Sequence, residues 1–232
     1  MLWAANHTRL DISFDVCDAS VGIDQATVGD VFKMQKTMRK LKVTNLSISY
    51  VPLLNLNSCN LWAFSDAAHA NLKDQGSQLG YVIFAVDRAG NANLVKWCSK
   101  KISRVVKSSL AAETLALLKA VDNAYFIKRL LESMLSVTDG ISIYCFTDNK
   151  SLVDHVYKST SSVKDFRLRV DMACLRDMMQ RNEIKSIKWV DTNHQLADCL
   201  TKATASSKNV LDIIKENKID LNLYSCMQDA HF

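Results

Sequence analysis

The stretch LWAFSDAAHA, Leu61 to Ala70, runs from two aromatics, Trp62 and Phe64, into a carboxylate, Asp66, followed by the small residues Ala67 and Ala68. This pattern predicts a buried strand over Leu61–Ser65 with an acid at its end and open space in front of it. Three acids distant in sequence are candidates to converge there: Glu113, Asp148 and Asp198. Glu113 is three residues after Leu110 and four before Leu117, on a stripe that continues through Val121, Ala124 and Leu131. It therefore belongs to the buried face of a long helix. A carboxylate in that position must be paired, protonated or bound to metal, because an unpartnered buried charge is too costly. The competing reading puts it at the stripe's edge in the first helical turn, where the backbone dipole favours an acid.

Asp148, in CFTDNKSLVDHV, closes a strand and opens a helix, at the carboxyl end where α/β sheets gather their sites. A plain helix cap competes with that role, as a turn residue or cap does for Asp66. Asp198, in NHQLADCLTK, lies among Leu196, Ala197 and Leu200, with Asp191 as its rival. Carboxylates gathered at one point repel unless cations sit among them. Oxygen-only ligands select hard ions, hence Mg²⁺ or Mn²⁺. His194, four residues before Asp198, is a candidate for proton transfer or product release. His69 and His155 suit hydrogen-bonded or surface positions, and Trp62, Trp97 and Trp189 suit the core.

The elements that would position these groups follow from the wider pattern. With 232 residues, 48% hydrophobic and 23% charged, the chain is globular and long enough for one large domain with an appendage. A net charge of +5 suits a polyanionic partner. Seven cysteines without a C-x-x-C pair argue for reduced thiols in an intracellular protein and against a zinc site. Neither a signal-peptide pattern nor a bilayer-spanning apolar run is present, so no membrane is expected.

Residues 1–42 are expected to be helical. Thr27 caps a helix whose apolar residues are Val31, Phe32, Met34, Met38 and Leu41. Leu46–Val51 alternates like a strand, and Pro52–Asn60 is turn-prone, the best candidate for a boundary. Strands are then predicted at Leu61–Ser65, Leu79–Val86 and Leu94–Cys98, with turns at Gly76 and Gly90, as an antiparallel meander. A helix over Ser109–Leu135 follows, then strand Ile141–Phe146, a short helix with Leu152, Val153 and Val156, a helix over Phe166–Gln180, strand Ile184–Val190 and a helix at about 206–217. The Ser/Thr run 159–162 is predicted to be a loop.

Taken in order, SDAAHA, SSLAAETLAL, FTDNKSL and HQLADCLTK resemble the type 1 ribonuclease H domain in the Pol polyprotein of copia-type LTR retrotransposons. The resemblance covers roughly 60–205 and includes LGYVIF, VKWCSKK and DFRLRVD. The leading MLWAANHTRLDISFDVCDAS and FKMQKTMRKLK are similar to the C-terminal part of the neighbouring reverse transcriptase, with Leu10 where proline is usual. It implies a mixed five-stranded sheet, three antiparallel strands then two parallel, flanked by helices, with a small, mostly helical N-terminal appendage. Residues 1–52 would be the reverse-transcriptase remnant, 60–217 the ribonuclease H-like domain and 218–232 a tail.

The activity implied is metal-dependent hydrolysis of the RNA strand of an RNA–DNA hybrid, leaving 5′-phosphate and 3′-hydroxyl ends. The family's four acids carry over to Asp66, Glu113, Asp148 and Asp198, with two ions about 4 Å apart. Asp66 and Asp148 would be shared ligands, Glu113 would serve the leaving-group side and Asp198 the nucleophile side. Lys100, Lys101, Ser109 and Asn149 would contact the hybrid. Between Lys158 and Lys188, eight basic residues face four acids, a surplus available to phosphates. The implied setting is intracellular: cytoplasm, virus-like particle or nucleus. The remainder of the reverse transcriptase would be a partner. Arg169 stands where the family often has histidine. Two rival readings are an inactive or repurposed copy that only binds, and an integrase-like nuclease using Asp66, Asp148 and Glu183.

Overall fold

The computed structural model describes residues 1–21, 23–54, 59–136, 140–158 and 163–225. Five strands form one sheet in the order β3-β2-β1-β4-β5: β1 Asn60–Ala68, β2 Gln78–Val86, β3 Ala92–Lys101, β4 Ser142–Thr147 and β5 Ser186–Trp189. β1, β2 and β3 are antiparallel neighbours, while β4 pairs parallel to β1 and β5 parallel to β4. This is the mixed, ribonuclease H-like sheet that the motifs imply. The helices are α1 Leu2–His7, α2 Ser13–Ser20, α3 Val28–Val43, α4 Ser109–Leu135, α5 Lys150–Tyr157, α6 Phe166–Gln180, α7 Lys208–Glu216 and α8 Leu221–Ser225. None of the described helices is long and apolar enough to cross a membrane.

Both faces of the sheet are covered, so β1 and β2 are apolar along nearly their whole length instead of alternating. Leu61, Ala63, Ile83 and Ile143 face α4. That helix lays Ala112, Ala116, Ala120 and Ala124, all fully buried, against the strands. Their small side chains let backbone approach backbone, and Ser108 fixes the helix start by accepting from the Ala111 N–H at 3.2 Å. On the other face Trp62, Phe64, Phe84 and Phe146 pack with Val190, Leu196, Leu200, Val210 and Tyr224. Tyr224, on α8, sets its ring edge-on to Trp62, Phe64 and Phe146 at 5.3–5.7 Å. The start of the expected tail is thus a packed helix.

Several expectations need correcting. Asp66 lies within β1, two residues before its end, not beyond the strand. Residues 46–49 alternate in burial, Tyr50 breaks the alternation, and residues 46–51 join no ladder. Their backbone groups are taken by asparagine side chains instead: Asn93 bonds both N–H and C=O of Val51, and Asn217 bonds Ser49. On α3, Thr27 forms its cap with Asp30, but Val31, Phe32 and Met38 are exposed. Thr37 is the residue it buries, its hydroxyl bonded back to the Lys33 carbonyl. Cys59 and Cys145 are buried free thiols, whereas Cys174 is exposed. The 159–162 run, Cys226, residues 55–58 of the boundary stretch and residues 226–232 of the tail lie outside the described residues.

Residues 2–43 have a small core of their own, Ala5, Ile12 and Val16 with Leu41 against it. The buried Arg9–Asp11 ion pair, with Arg9 Nη1 on the Leu41 carbonyl at 2.8 Å, ties α3 to the first turns. This unit docks on β3 through Trp97, which is half-buried and packs at the margin of the core. The indole N–H donates to the Ala5 carbonyl at 2.7 Å and Ser13 Oγ at 3.0 Å. Trp97→Phe keeps the ring and removes those bonds. Amide exchange in residues 2–20 should accelerate about 5–30-fold, as the loss of ~1–2 kcal/mol requires, while exchange in β1 and β2 stays unchanged.

Candidate active site

The sheet's connectivity brings the acids together. Phe64 of β1 pairs with Phe146 of β4 in parallel register. Carrying that register two residues on brings Asp148 level with Asp66. α4 crosses the same end of β1 with Glu113 in its second turn. One carboxylate oxygen from each of Asp66, Glu113 and Asp148 lies within 4.8 Å of the other two. Asp66 is 1% exposed and Glu113 6%, so the cluster is sunk into the protein at its Asp66–Glu113 end.

Burial pushes the Glu113 carboxyl well above the ordinary carboxylate range, and the charges of Asp66 and Asp148 push it further. The charge of Lys202 and then the Ala67 backbone N–H, which bonds Glu113, offset only part of this. Burial raises Asp66 as well, with Lys202 opposing and Asp198 adding to the shift. Asp148 is raised by burial and then by Asp66. Two buried acids and a half-buried third, all with raised proton affinity at one point, mark a candidate site for positive charge. Glu113 Oε2 is buried with no hydrogen-bond partner. Three grouped carboxylates, one of them with an orphaned oxygen, are a donor set that fits a hard divalent cation.

The fourth candidate acid, Asp198, lies in the segment after β5, outside the three-acid group. Asp198 opens a short 3-10 turn, Asp198–Leu200, and its carboxylate accepts from Lys202 at 2.9 Å. Burial raises its proton affinity, and the negative charge of Asp148 contributes to the same shift, so Asp198 belongs to the electrostatic neighbourhood of the cluster. Its rival Asp191 uses Oδ1 to cap the 192–194 turn, accepting from the backbone and side-chain nitrogens of Asn193. Glu183, the integrase-like candidate, sits elsewhere. β5 runs parallel to β4, whose far end leads to Asp148, and Glu183 precedes β5 with its N–H on the Met178 carbonyl. It is therefore at the opposite end of the sheet.

The other candidate residues divide. Ser109 is exposed one turn before Glu113, on the same helix face. Asn149 adjoins Asp148, with Oδ1 capping α5 by accepting from the Leu152 N–H at 2.9 Å. Lys100 is exposed and pairs with Leu79, two strands or about 10 Å across the sheet from β1. Lys101 is ion-paired with Asp74 in the β1–β2 turn. His194 closes the 192–194 turn with Nδ1 buried and unpartnered, its carbonyl accepting from Tyr224. His69 bonds the Val106 carbonyl and His155 bonds Ser151, so neither serves the acids. Arg169 is exposed and lies over the Phe166 ring.

Reading the sequence missed the groups that hold the acids in place. Thr201 Oγ1 donates to Asp66, Thr192 Oγ1 donates to Asp148 at 3.1 Å, and the Trp189 indole N–H donates to the Asp148 carbonyl at 3.0 Å. Lys202 Nζ also reaches Asp66, at 3.4 Å. The one available signal was the four-residue spacing of Asp198 and Lys202. Gly80, opposite Asp66 in the β1–β2 register, makes room for this segment. A Cβ there would sit 2.6 Å from Leu200 Cβ and 2.8 Å from Thr201 Cγ2. Gly80→Ala should therefore destabilise the fold by about 1–3 kcal/mol in a denaturant melt, with exchange protection lost first in residues 196–202.

The chain is 30% identical over 201 residues, 84% of its length, to the retrovirus-related Pol polyprotein from transposon RE1 of Arabidopsis thaliana. It is similar to one part of the retrovirus-related Pol polyproteins. The chain spans 13% of the length of the curated relatives it matches. No family model matches it. Among solved structures, it is similar to RNase H1 from the archaeon Halobacterium salinarum NRC-1, at 19% identity and a TM-score of 0.44, over 61% of this chain and 94% of that one. It is also similar to LC11-RNase H1, solved in complex with an RNA/DNA hybrid, at 18% identity and a TM-score of 0.44, over 65% and 99%.

Proposed function

We propose that this chain hydrolyses the RNA strand of RNA–DNA hybrids. It would act as the ribonuclease H part of a copia-type element, with residues 1–52 derived from the C-terminal end of its reverse transcriptase. The observation that carries the reading is the convergence of Asp66, Glu113 and Asp148, with one Glu113 oxygen buried and unpartnered. Asp66, Glu113 and Asp148 would hold one divalent cation, and Asp198 with Asp66 and Asp148 a second, Mg²⁺ or Mn²⁺ in each case. When bound, these ions supply Lewis-acid stabilisation of the charge that builds on the phosphate and lower the pKa of an attacking water.

The chain's own residues do the positioning. Thr192 and the Trp189 N–H fix Asp148, and Thr201 fixes Asp66, so the carboxylates are ordered before any ligand arrives. Ser109, one turn above Glu113, and Asn149, beside Asp148, are placed to donate to ribose hydroxyls or phosphates as the substrate lies across the site. The 2′-hydroxyl is what distinguishes the RNA strand, so these donors would supply selectivity and the acids would supply rate.

The test is a labelled RNA–DNA hybrid incubated with the protein in Mg²⁺ and in EDTA. Cleavage of the RNA strand in Mg²⁺ alone is the expected result. Hybrid binding with no metal-dependent cleavage would overturn the reading in favour of a copy that only binds.

A further inference from the structure

The cluster already holds a cation of its own. Lys202 Nζ is 2.9 Å from Asp198 Oδ1 and 3.4 Å from Asp66 Oδ1. Its backbone N–H closes the turn onto the Asp198 carbonyl at 3.0 Å, so the ammonium is aimed by the same turn that presents Asp198. Asp66 is 1% exposed, and both its oxygens have donors from one dipeptide, Thr201 on Oδ2 and Lys202 on Oδ1. Glu113 Oε2 has none. The direct ammonium contact is therefore on the Asp66–Asp198 side, and Glu113 is left without one.

We infer that Lys202 is a tethered counter-ion that occupies the Asp66–Asp198 side of the centre and must be displaced before a metal ion can bind there. The inference rests on the metal-centre reading above and concerns how that centre fills. A divalent ion entering among Asp66, Glu113 and Asp148 meets two carboxylates, Glu113 and Asp148, that Lys202 does not contact. An ion entering between Asp66 and Asp198 meets an ammonium that already satisfies both. The side chain is 37% exposed, so it can swing outward to solvent without unpacking the core. Lys202 thereby makes the second position weaker than the first and keeps the metal-free cluster tolerable to the fold. It is a positioning residue and takes no part in bond making.

The test is calorimetric titration of Mn²⁺ into the full chain, wild type against Lys202→Met and Lys202→Arg, without nucleic acid. Lys202→Met should bind the weaker equivalent at least about fivefold more tightly, and Lys202→Arg should not. Melting curves accompany this, because removing the ammonium leaves the acids to repel one another. Lys202→Met should melt below wild type in EDTA and gain more than wild type from Mn²⁺. Wild type and Lys202→Met binding Mn²⁺ equally, or Lys202→Met binding more weakly, overturns the inference and leaves the metal centre standing. So does a Lys202→Met melting point that Mn²⁺ does not raise. Absence of Mn²⁺ binding to all three proteins at millimolar concentrations overturns the metal centre and this inference together.

Discussion

Asp148→Asn is expected to lower cleavage of an RNA–DNA hybrid by at least about 10³-fold while leaving the melting temperature in EDTA nearly unchanged or slightly higher. The rate loss follows from replacing an anionic oxygen of the three-acid cluster by a neutral amide at the place where the reaction needs fixed charge. The unchanged stability follows from where Asp148 sits. Its backbone carbonyl, not its side chain, receives the Trp189 indole N–H. The side chain contributes one bond, from Thr192, which an amide oxygen also accepts. The measurement is a single-turnover cleavage rate beside a thermal melt. A variant that cleaves within tenfold of wild type would mean that the Asp148 carboxylate serves only its bond to Thr192 and that the acid cluster has no catalytic use.

Glu113→Gln should move activity and stability in opposite directions. Cleavage should fall about 10²–10³-fold, because a carboxylate of the cluster is lost. In EDTA near neutral pH the variant should be more stable than wild type. Burial, Asp66 and Asp148 together raise the folded-state pKa of Glu113 well above its ordinary value. Between the two values the folded chain binds a proton that the unfolded chain has released, so stability falls as pH rises through that window. The stabilisation from protonated Glu113 is fully present below the ordinary glutamate pKa and gone above the raised one. Glutamine imitates the protonated acid at every pH. Its advantage should therefore be nil near pH 4 and grow toward neutrality, to about 1–2 kcal/mol. For a chain of this size that corresponds to ~2–4 °C in melting temperature per kcal/mol. Mg²⁺ should raise the melting temperature of wild type and do little for the variant, since a ligand stabilises only the state that binds it. Equal melting of the two proteins across pH 4–8 in EDTA would show that Glu113 carries no unfavourable charge.

Much of the scaffold was readable without coordinates because it depends on local rules. The stripe through Leu110, Leu117, Val121, Ala124 and Leu131 marked α4, and apolar runs marked β1 and β2 as strands. The failures share a cause. Leu46–Val51 has the alternation of a strand, but a strand also needs a free neighbouring edge, and the side chains of Asn93 and Asn217 took its backbone groups first. The apolar residues of α3 have helical spacing, yet Val31 and Phe32 remain exposed because periodicity records which side could be buried, not what is present to bury it. Trp97 reads as core from its strand, while its N–H made it the clasp for the N-terminal unit.

For the site, sequence alone determined which acids were available and that Glu113, on an apolar helical face, needed a partner. Those conclusions use only residue type and spacing along one element. Tertiary structure left Asp191 capping a local turn, sent Glu183 to the opposite end of the sheet, and inserted Lys202 between Asp66 and Asp198. The last two outcomes depend on the parallel pairing of β1, β4 and β5 and on the turn beyond it, and the Lys202–Asp66 contact joins residues 136 apart in the chain. Charges interact through space, so the balance among these groups exists only once the sheet has closed around them.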